Sequence, residues 1–200
     1  MGHPVALAVD VPVGTVTGTR LEGVEVAIWR DPTGQIHVWR DLCPHRGMRL
    51  SLGHLRDATL ACPYHGWRFD PSGRCVHIPA HPRALPPTSV SVQRYHAAEA
   101  HGIIWAGPAA FEPPVTTEPA HAVRSVTIRR AAATVTTALE ARMLRPGPWG
   151  YRVGPVSVAV QPVDERVTAL HAVHLGPASD DLLVSLAQQL GRLRSALDAG

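Results

Sequence analysis

Four side chains in two short segments have the types and spacing to bind metal. The first segment reads Cys43-Pro44-His45-Arg46-Gly47 and the second Cys62-Pro63-Tyr64-His65-Gly66-Trp67. Thiolates and neutral imidazoles are the donors that hold zinc and iron–sulfur centres. Spacers of one and two residues let both donors of a segment point the same way. Gly47 and Gly66 permit the backbone to turn away sharply, and Pro44 and Pro63 stiffen each loop. A tetrahedral zinc ion accepts two Cys and two His. So does a [2Fe–2S] centre with two thiolates on one iron and two imidazoles on the other, each segment giving one donor to each iron. The Cys-x-His spacing is foreign to the common zinc fingers, and zinc requires none of the flanking Pro, Gly and aromatic residues. The iron–sulfur reading is therefore the stronger.

These two segments, Cys-Pro-His-Arg-Gly followed by Cys-Pro-Tyr-His-Gly-Trp, resemble the Rieske domain of the bacterial Rieske non-haem iron oxygenases. The wording is closest to the aromatic O-demethylase and ring-hydroxylating branch. The resemblance runs from His3-Pro4-Val5 to Gly102-Ile103-Ile104-Trp105, about half the chain. It implies a Rieske [2Fe–2S] cluster on Cys43, His45, Cys62 and His65. Rieske proteins of respiratory complexes carry a disulfide between their two loops. Met48 and Tyr64 stand in the equivalent places here. The resemblance thus implies the low end of the Rieske potential range, about −150 mV. Cys75 is left over and is expected to be a small buried residue.

An oxygenase of this family also needs a mononuclear Fe(II) held by two His and a carboxylate. The family motif for it is an acidic residue, two spacers, His, four spacers, His. Its best placement puts Glu140 in the acidic position and Met143 and Pro148 in the two His positions. Neither can replace an imidazole. Asp180 or Asp181 could supply the late carboxylate, which alone will not hold iron. His171 and His174 lie three apart on an expected strand and so face opposite ways. His96, His101 and His121 read as ordinary histidines. The expectation is a chain with no mononuclear iron of its own, acting as a one-electron transfer component or non-catalytic subunit. A flavin or ferredoxin reductase would be its donor and a catalytic oxygenase subunit its acceptor, in a homo- or hetero-oligomer. The alternatives are an active oxygenase with an unconventional iron site and, more weakly, a redox sensor.

The elements that must position the quartet are short. Val24–Trp29, the turn Asp31-Pro32-Thr33-Gly34 and Ile36–Trp39 make a hairpin-like unit, and Asp70-Pro71-Ser72-Gly73 is a second turn of the same kind. The fold class expected is mainly β with an α+β C-terminal part. An antiparallel Rieske β domain (1–108) is followed by a Pro-rich linker (109–121) and a truncated helix-grip-like remnant of a catalytic domain (122–200). In that remnant Val123–Ile128, Val153–Val160 and Val167–Leu175 read as strands and Ala131–Leu144 as a helix. A last helix is capped by Ser179, with Asp180 and Asp181 in its first turn. Its stripe of Leu183, Leu186, Leu190, Leu193 and Leu197 is expected to pack on its own domain, with a subunit contact as the alternative.

The basic residues are all arginine, scattered along a chain of net charge +3, so no nucleic-acid surface is indicated. No apolar run reaches the roughly 20 residues that span a bilayer. The N-terminus does not read as a signal peptide, and three cysteines make a poor disulfide framework. A cytoplasmic location is the expectation.

Overall fold

The computed structural model spans residues 1–200 and describes all of them except Thr116, Met143, Pro148 and Gly200. Strands β1 (His3–Leu7), β2 (Val16–Leu21), β3 (Val24–Arg30) and β4 (Ile36–Arg40) precede the first Cys/His segment. Strands β5 (His54–Arg56) and β6 (Thr59–Ala61) lie between the two segments. After the second come β7 (Arg68–Phe69), β8 (Cys75–His77), β9 (Arg94–Ala100) and β10 (Ile103–Gly107). Beyond the proline-rich stretch follow β11 (Ala120–Ile128), helix α1 (Ala132–Ala141), β12 (Arg145–Gly147) and β13 (Gly150–Val153). The chain ends with β14 (Val156–Asp164), β15 (Val167–Leu175) and helix α2 (Asp180–Ala199). The fold is mainly β, with α-helix confined to the C-terminal part. Among the described residues no helix is long and apolar enough to cross a membrane.

Packing divides the chain into two units. The first holds Val11–Ala97 with Met1 and Ala106–Phe111, and the second Gly2–Asp10, Ala98–Trp105 and Glu112–Gly200. Gly2–Asp10 and Ala98–Trp105, which the sequence reading puts in its 1–108 segment, therefore pack with the second unit. The reason is β1, which lies against β11, β14 and β15.

In the first unit β2, β3, β4 and the start of β9 form an antiparallel run, and β5 to β8 a smaller sheet. The two Asp-Pro turns are copies of each other. Asp31 Oδ1 accepts from the Thr33 amide at 2.8 Å, its hydroxyl at 2.6 Å and the Gln35 amide at 3.0 Å. Asp70 Oδ1 does the same with Ser72 and the Arg74 amide. Such side-chain-to-backbone bonds are why Asp opens these turns. The core beneath the sheets joins Trp29, Trp39, Leu50, Leu60 and Phe69 to Cys43, Cys62 and Cys75. Cys75 is a buried member of it, as expected, its thiol donating to the His77 carbonyl at 3.7 Å.

The second unit contains a five-stranded antiparallel sheet, ordered β11-β15-β14-β13-β12. Leu139 of α1 and Leu190 and Leu197 of α2 close a core with Val126, Ile128 and Leu170. The C-terminal part of the leucine stripe, Leu190, Leu193 and Leu197, thus packs on its own unit. Ser179 caps α2 through its hydroxyl, which accepts from the Leu182 amide at 3.3 Å. Two expectations need correction. Val153–Val160 is not one strand, because Gly154 turns the chain at φ 55° between β13 and β14. The helix expected to reach Leu144 stops at Ala141, where the Arg142 amide turns back to the Leu139 carbonyl at 3.0 Å.

Candidate metal centre

The two Cys/His segments fold into backbone copies of one loop. The Cys43 amide donates to the Met48 carbonyl at 2.8 Å and the Gly47 amide to the Cys43 carbonyl at 2.9 Å. In the second loop the Cys62 amide donates to the Trp67 carbonyl at 2.9 Å and the Gly66 amide to the Cys62 carbonyl at 3.0 Å. Gly47 and Gly66 close these turns at φ 73° and 67°, conformations that side-chain-bearing residues seldom adopt. The second loop is the tip of the β6–β7 hairpin, where Ala61 faces Arg68. The first is closed at its base by buried Asp41, which accepts from the Ser51 amide at 2.7 Å and its hydroxyl at 2.5 Å. His45 is two residues after its cysteine and His65 three. The same backbone turn therefore presents the two imidazoles from different steps.

This arrangement brings all four expected residues together in two like pairs. The Cys43 and Cys62 thiols lie within hydrogen-bonding reach of each other, each only 2% exposed. The His45 and His65 rings meet edge to face at 4.6 Å, both half-buried. Burial, chiefly, pushes the Cys43 thiol from 9.0 up to about 11; the His45 amide opposes this, the Cys62 thiol adds to it, and the Arg46 amide opposes it. Two backbone N–H groups are thus aimed at that sulfur. Burial likewise lowers His45, helped by the neighbouring His65 and Arg46. Trp67 of the second loop stacks on His45 of the first at 4.3 Å and 6°, and Tyr64 lies against His65 at 3.8 Å. The Trp67 clamp is a feature the donor spacing did not reveal; the aromatic residue directly after Gly66 was its only signal.

One atom tests what the site can hold. His45 Nδ1 is buried and has no hydrogen-bond partner. A buried polar nitrogen left unpaired is costly, and a metal ion is a partner that removes the cost. Among the described residues no three His, Cys, Asp or Glu side chains converge on one point. Each iron of a Rieske centre takes only two protein donors, so paired thiols beside paired imidazoles fit that cluster.

Among the described residues, those considered for a second iron form no group of three donors, although His121 and His174 are neighbours. Glu140 is exposed and accepts from the Tyr151 hydroxyl at 2.9 Å. Met143 and Pro148 lie outside the described residues. Asp180 and Asp181 are exposed in the first turn of α2. His171 is buried, with Nδ1 2.9 Å from Ser125 Oγ and Nε2 2.9 Å from Gln161 Oε1. His174 is buried and faces His121 across the β11–β15 ladder.

Residues 2–96 match the family model of the Rieske [2Fe–2S] domain. The chain is 43% identical over 103 residues to Oxidoreductase NdmD of Pseudomonas putida, a match covering 51% of this chain and 18% of that protein. It is 38% identical over 91 residues to the oxygenase component of dicamba O-demethylase from Stenotrophomonas maltophilia, covering 46% of this chain and 26% of that one. The chain spans about a fifth of the length of the first curated relatives it matches. Among solved structures, apo dicamba monooxygenase superposes with a TM-score of 0.78 at 18% identity, over 100% of this chain and 85% of that one. That likeness concerns the fold. The chain therefore carries a Rieske [2Fe–2S] domain homologous to those of the Rieske non-haem iron oxygenases.

Proposed function

We propose that Cys43 and Cys62 hold one iron and His45 and His65 the other, and that the chain moves single electrons between a reductase and a separate acceptor protein. The observation that carries this reading is the split of the four donors into a buried thiol pair and a half-buried imidazole pair with an orphaned Nδ1. When bound, the cluster supplies a one-electron couple. The chain's own residues give that couple a direction. The cysteines sit in the core beside Trp39 and Leu60, while the histidine rings reach solvent beside Tyr64, which is 55% exposed. Trp67 stacks on His45, and the loop glycines close the turns that present both rings. The electron enters and leaves at the histidine edge.

A reductase on one side and an oxygenase subunit on the other are the partners this reading names. Its support is that relatives of the domain include an oxidoreductase and oxygenase components. No iron beyond the cluster enters the reading, because Met143 and Pro148 stand in the two His positions of the family's iron motif. A catalytic oxygenase is the second reading, favoured by a fold likeness that runs the whole length of the chain.

Metal analysis of anaerobically purified protein separates the two. Electron transfer alone requires two irons and two sulfides per chain, whereas a third iron supports the oxygenase. His65→Cys should shift the visible and EPR spectra toward those of an all-thiolate centre. Unchanged spectra would reject the ligand assignment.

A further inference from the structure

We propose that the exposed surface around His45 and His65, extended by residues 79–85, docks an acidic protein that delivers single electrons. This rests on the electron-transfer reading above and names the kind of partner it needs.

Three adjoining segments of the first unit make the surface. Leu42 and Tyr64 stand exposed at the two loops. Pro79 lies against the second loop, since a Cβ added at Gly66 would come within 3.0 Å of its Cγ. Two tight turns follow. The His81 amide donates to the Ile78 carbonyl at 2.9 Å and the Ala84 amide to the His81 carbonyl at 3.0 Å. They keep residues 79–85 compact, yet every residue of that stretch is exposed, Leu85 to 95%.

Charge sets this surface apart. Residues 42–97 carry seven arginines and two carboxylates, whereas the remainder of the chain carries twelve and fourteen. Both of those carboxylates are engaged. Asp57 pairs with Arg68 at 3.8 Å, and Asp70 Oδ1 accepts from Ser72 and the Arg74 amide. Arg49 is held by Glu25. Arg46 and Arg83 are exposed and make no ion pair among the described residues. Arg46 is close enough to His45 for its charge to lower that ring, after burial and His65. Uncompensated arginines beside the histidine edge attract an acidic face and speed its arrival. They form no run, so a nucleic-acid backbone fits less well. Leu42, Tyr64 and Leu85 are three exposed side chains, far short of the broad apolar face of a permanent subunit contact. A carrier that docks through charge, gives up one electron and leaves fits both features. The carrier is oxidised by one electron and this chain's centre is reduced by one; no bond is made or broken.

The test is stopped-flow reduction of the iron-loaded chain by a reduced, acidic plant-type ferredoxin, whose potential makes the transfer downhill. Calorimetry of the oxidised pair reads binding separately. The rate should fall about tenfold as salt rises from about 20 mM to about 500 mM. Arg46→Gln and Arg83→Gln should each slow the low-salt rate about threefold and weaken binding in step, with the visible spectrum unchanged. Arg83→Gln lies outside both loops, so it stays informative even if Arg46→Gln loses iron. Arg145→Gln removes the same charge from an exposed site in the second unit and should do neither. The proposal is overturned if the rate ignores salt, if Arg145→Gln matches Arg83→Gln, or if a short DNA duplex binds as tightly as the ferredoxin. An unaltered chain without the spectrum of a two-Cys, two-His centre would overturn the underlying reading, and this proposal with it.

Discussion

At Gly66 the backbone sits at φ 67°, and an added Cβ would come within 3.0 Å of Pro79 Cγ. Gly47 has φ 73°, yet its nearest neighbour would be Leu42 Cδ1 at 3.5 Å, an ordinary contact. Gly47→Ala should therefore cost only the backbone strain of a left-handed residue, about 1 kcal/mol. Gly66→Ala adds a steric clash beside His65 and should cost roughly 2 kcal/mol or more and lower iron content as well. Urea unfolding with iron analysis reads both; equal losses at the two sites would mean that the Pro79 contact has no effect. The cluster potential belongs to the same scale. By the family resemblance, Met48 and Tyr64 stand where a loop-bridging disulfide would need cysteines. The expected midpoint is about −150 mV, and a voltammetric value well above zero would refute it. The four donors were legible because their types and spacing are fixed by chemistry. The Asp31–His37 clamp was not, since nothing in the intervening turn marks that histidine as a partner.

Elements were legible wherever a local signal and a tertiary demand agree. β15 runs from Val167 to Leu175, the span its apolar run predicts, because nearly every residue of it is buried. The Ser179 cap and the two Asp-Pro turns follow from side-chain bonds to nearby amides. β13 and β14 were merged because a valine-rich stretch hides a hairpin; the Gly154-Pro155 dipeptide was the only mark of it. The stripe on α2 gives a sharp contrast to test. Leu190 is 7% exposed in the core with Val126 and Leu170, whereas Leu182 is 39% exposed. Leu190→Ala should destabilise the second unit by about 2–5 kcal/mol, and Leu182→Ala by no more than about 0.5 kcal/mol. If α2 mainly served a subunit contact, Leu190→Ala would instead lower the oligomeric state and leave monomer stability intact; denaturation with light scattering tells these apart.

For the whole molecule, sequence composition indicated one β-rich part and one mixed part, but which segments pack together depends on long-range contacts such as those of β1 with β11, β14 and β15. The two units also carry different buried titratable groups, and this gives each its own acid limit. Burial lowers His171 from 6.5 to about 4, so the ring is neutral in the fold, spanning Ser125 and Gln161. Below pH 6.5 the unfolded chain binds a proton that the folded chain does not. The stability His171 confers is complete above 6.5 and is lost as pH falls through about 4, a change of roughly 3 kcal/mol. Asp31 moves in a lower window. Burial raises it, but the Thr33 hydroxyl, His37 and the amides of Gln35 and Thr33 outweigh that and hold it from 3.8 down to about 2. Its stabilisation, roughly 2 kcal/mol, is present above 3.8 and is lost as pH falls through about 2. Hydrogen exchange followed by peptide mass spectrometry should therefore show amides of β11, β14 and β15 losing protection between pH 6.5 and 4, and those of β3 and β4 only below pH 4. His171→Gln should flatten the first change alone and Asp31→Asn the second alone. A single acid transition shared by both sets of peptides, unmoved by either substitution, would show that these groups do not set the limits.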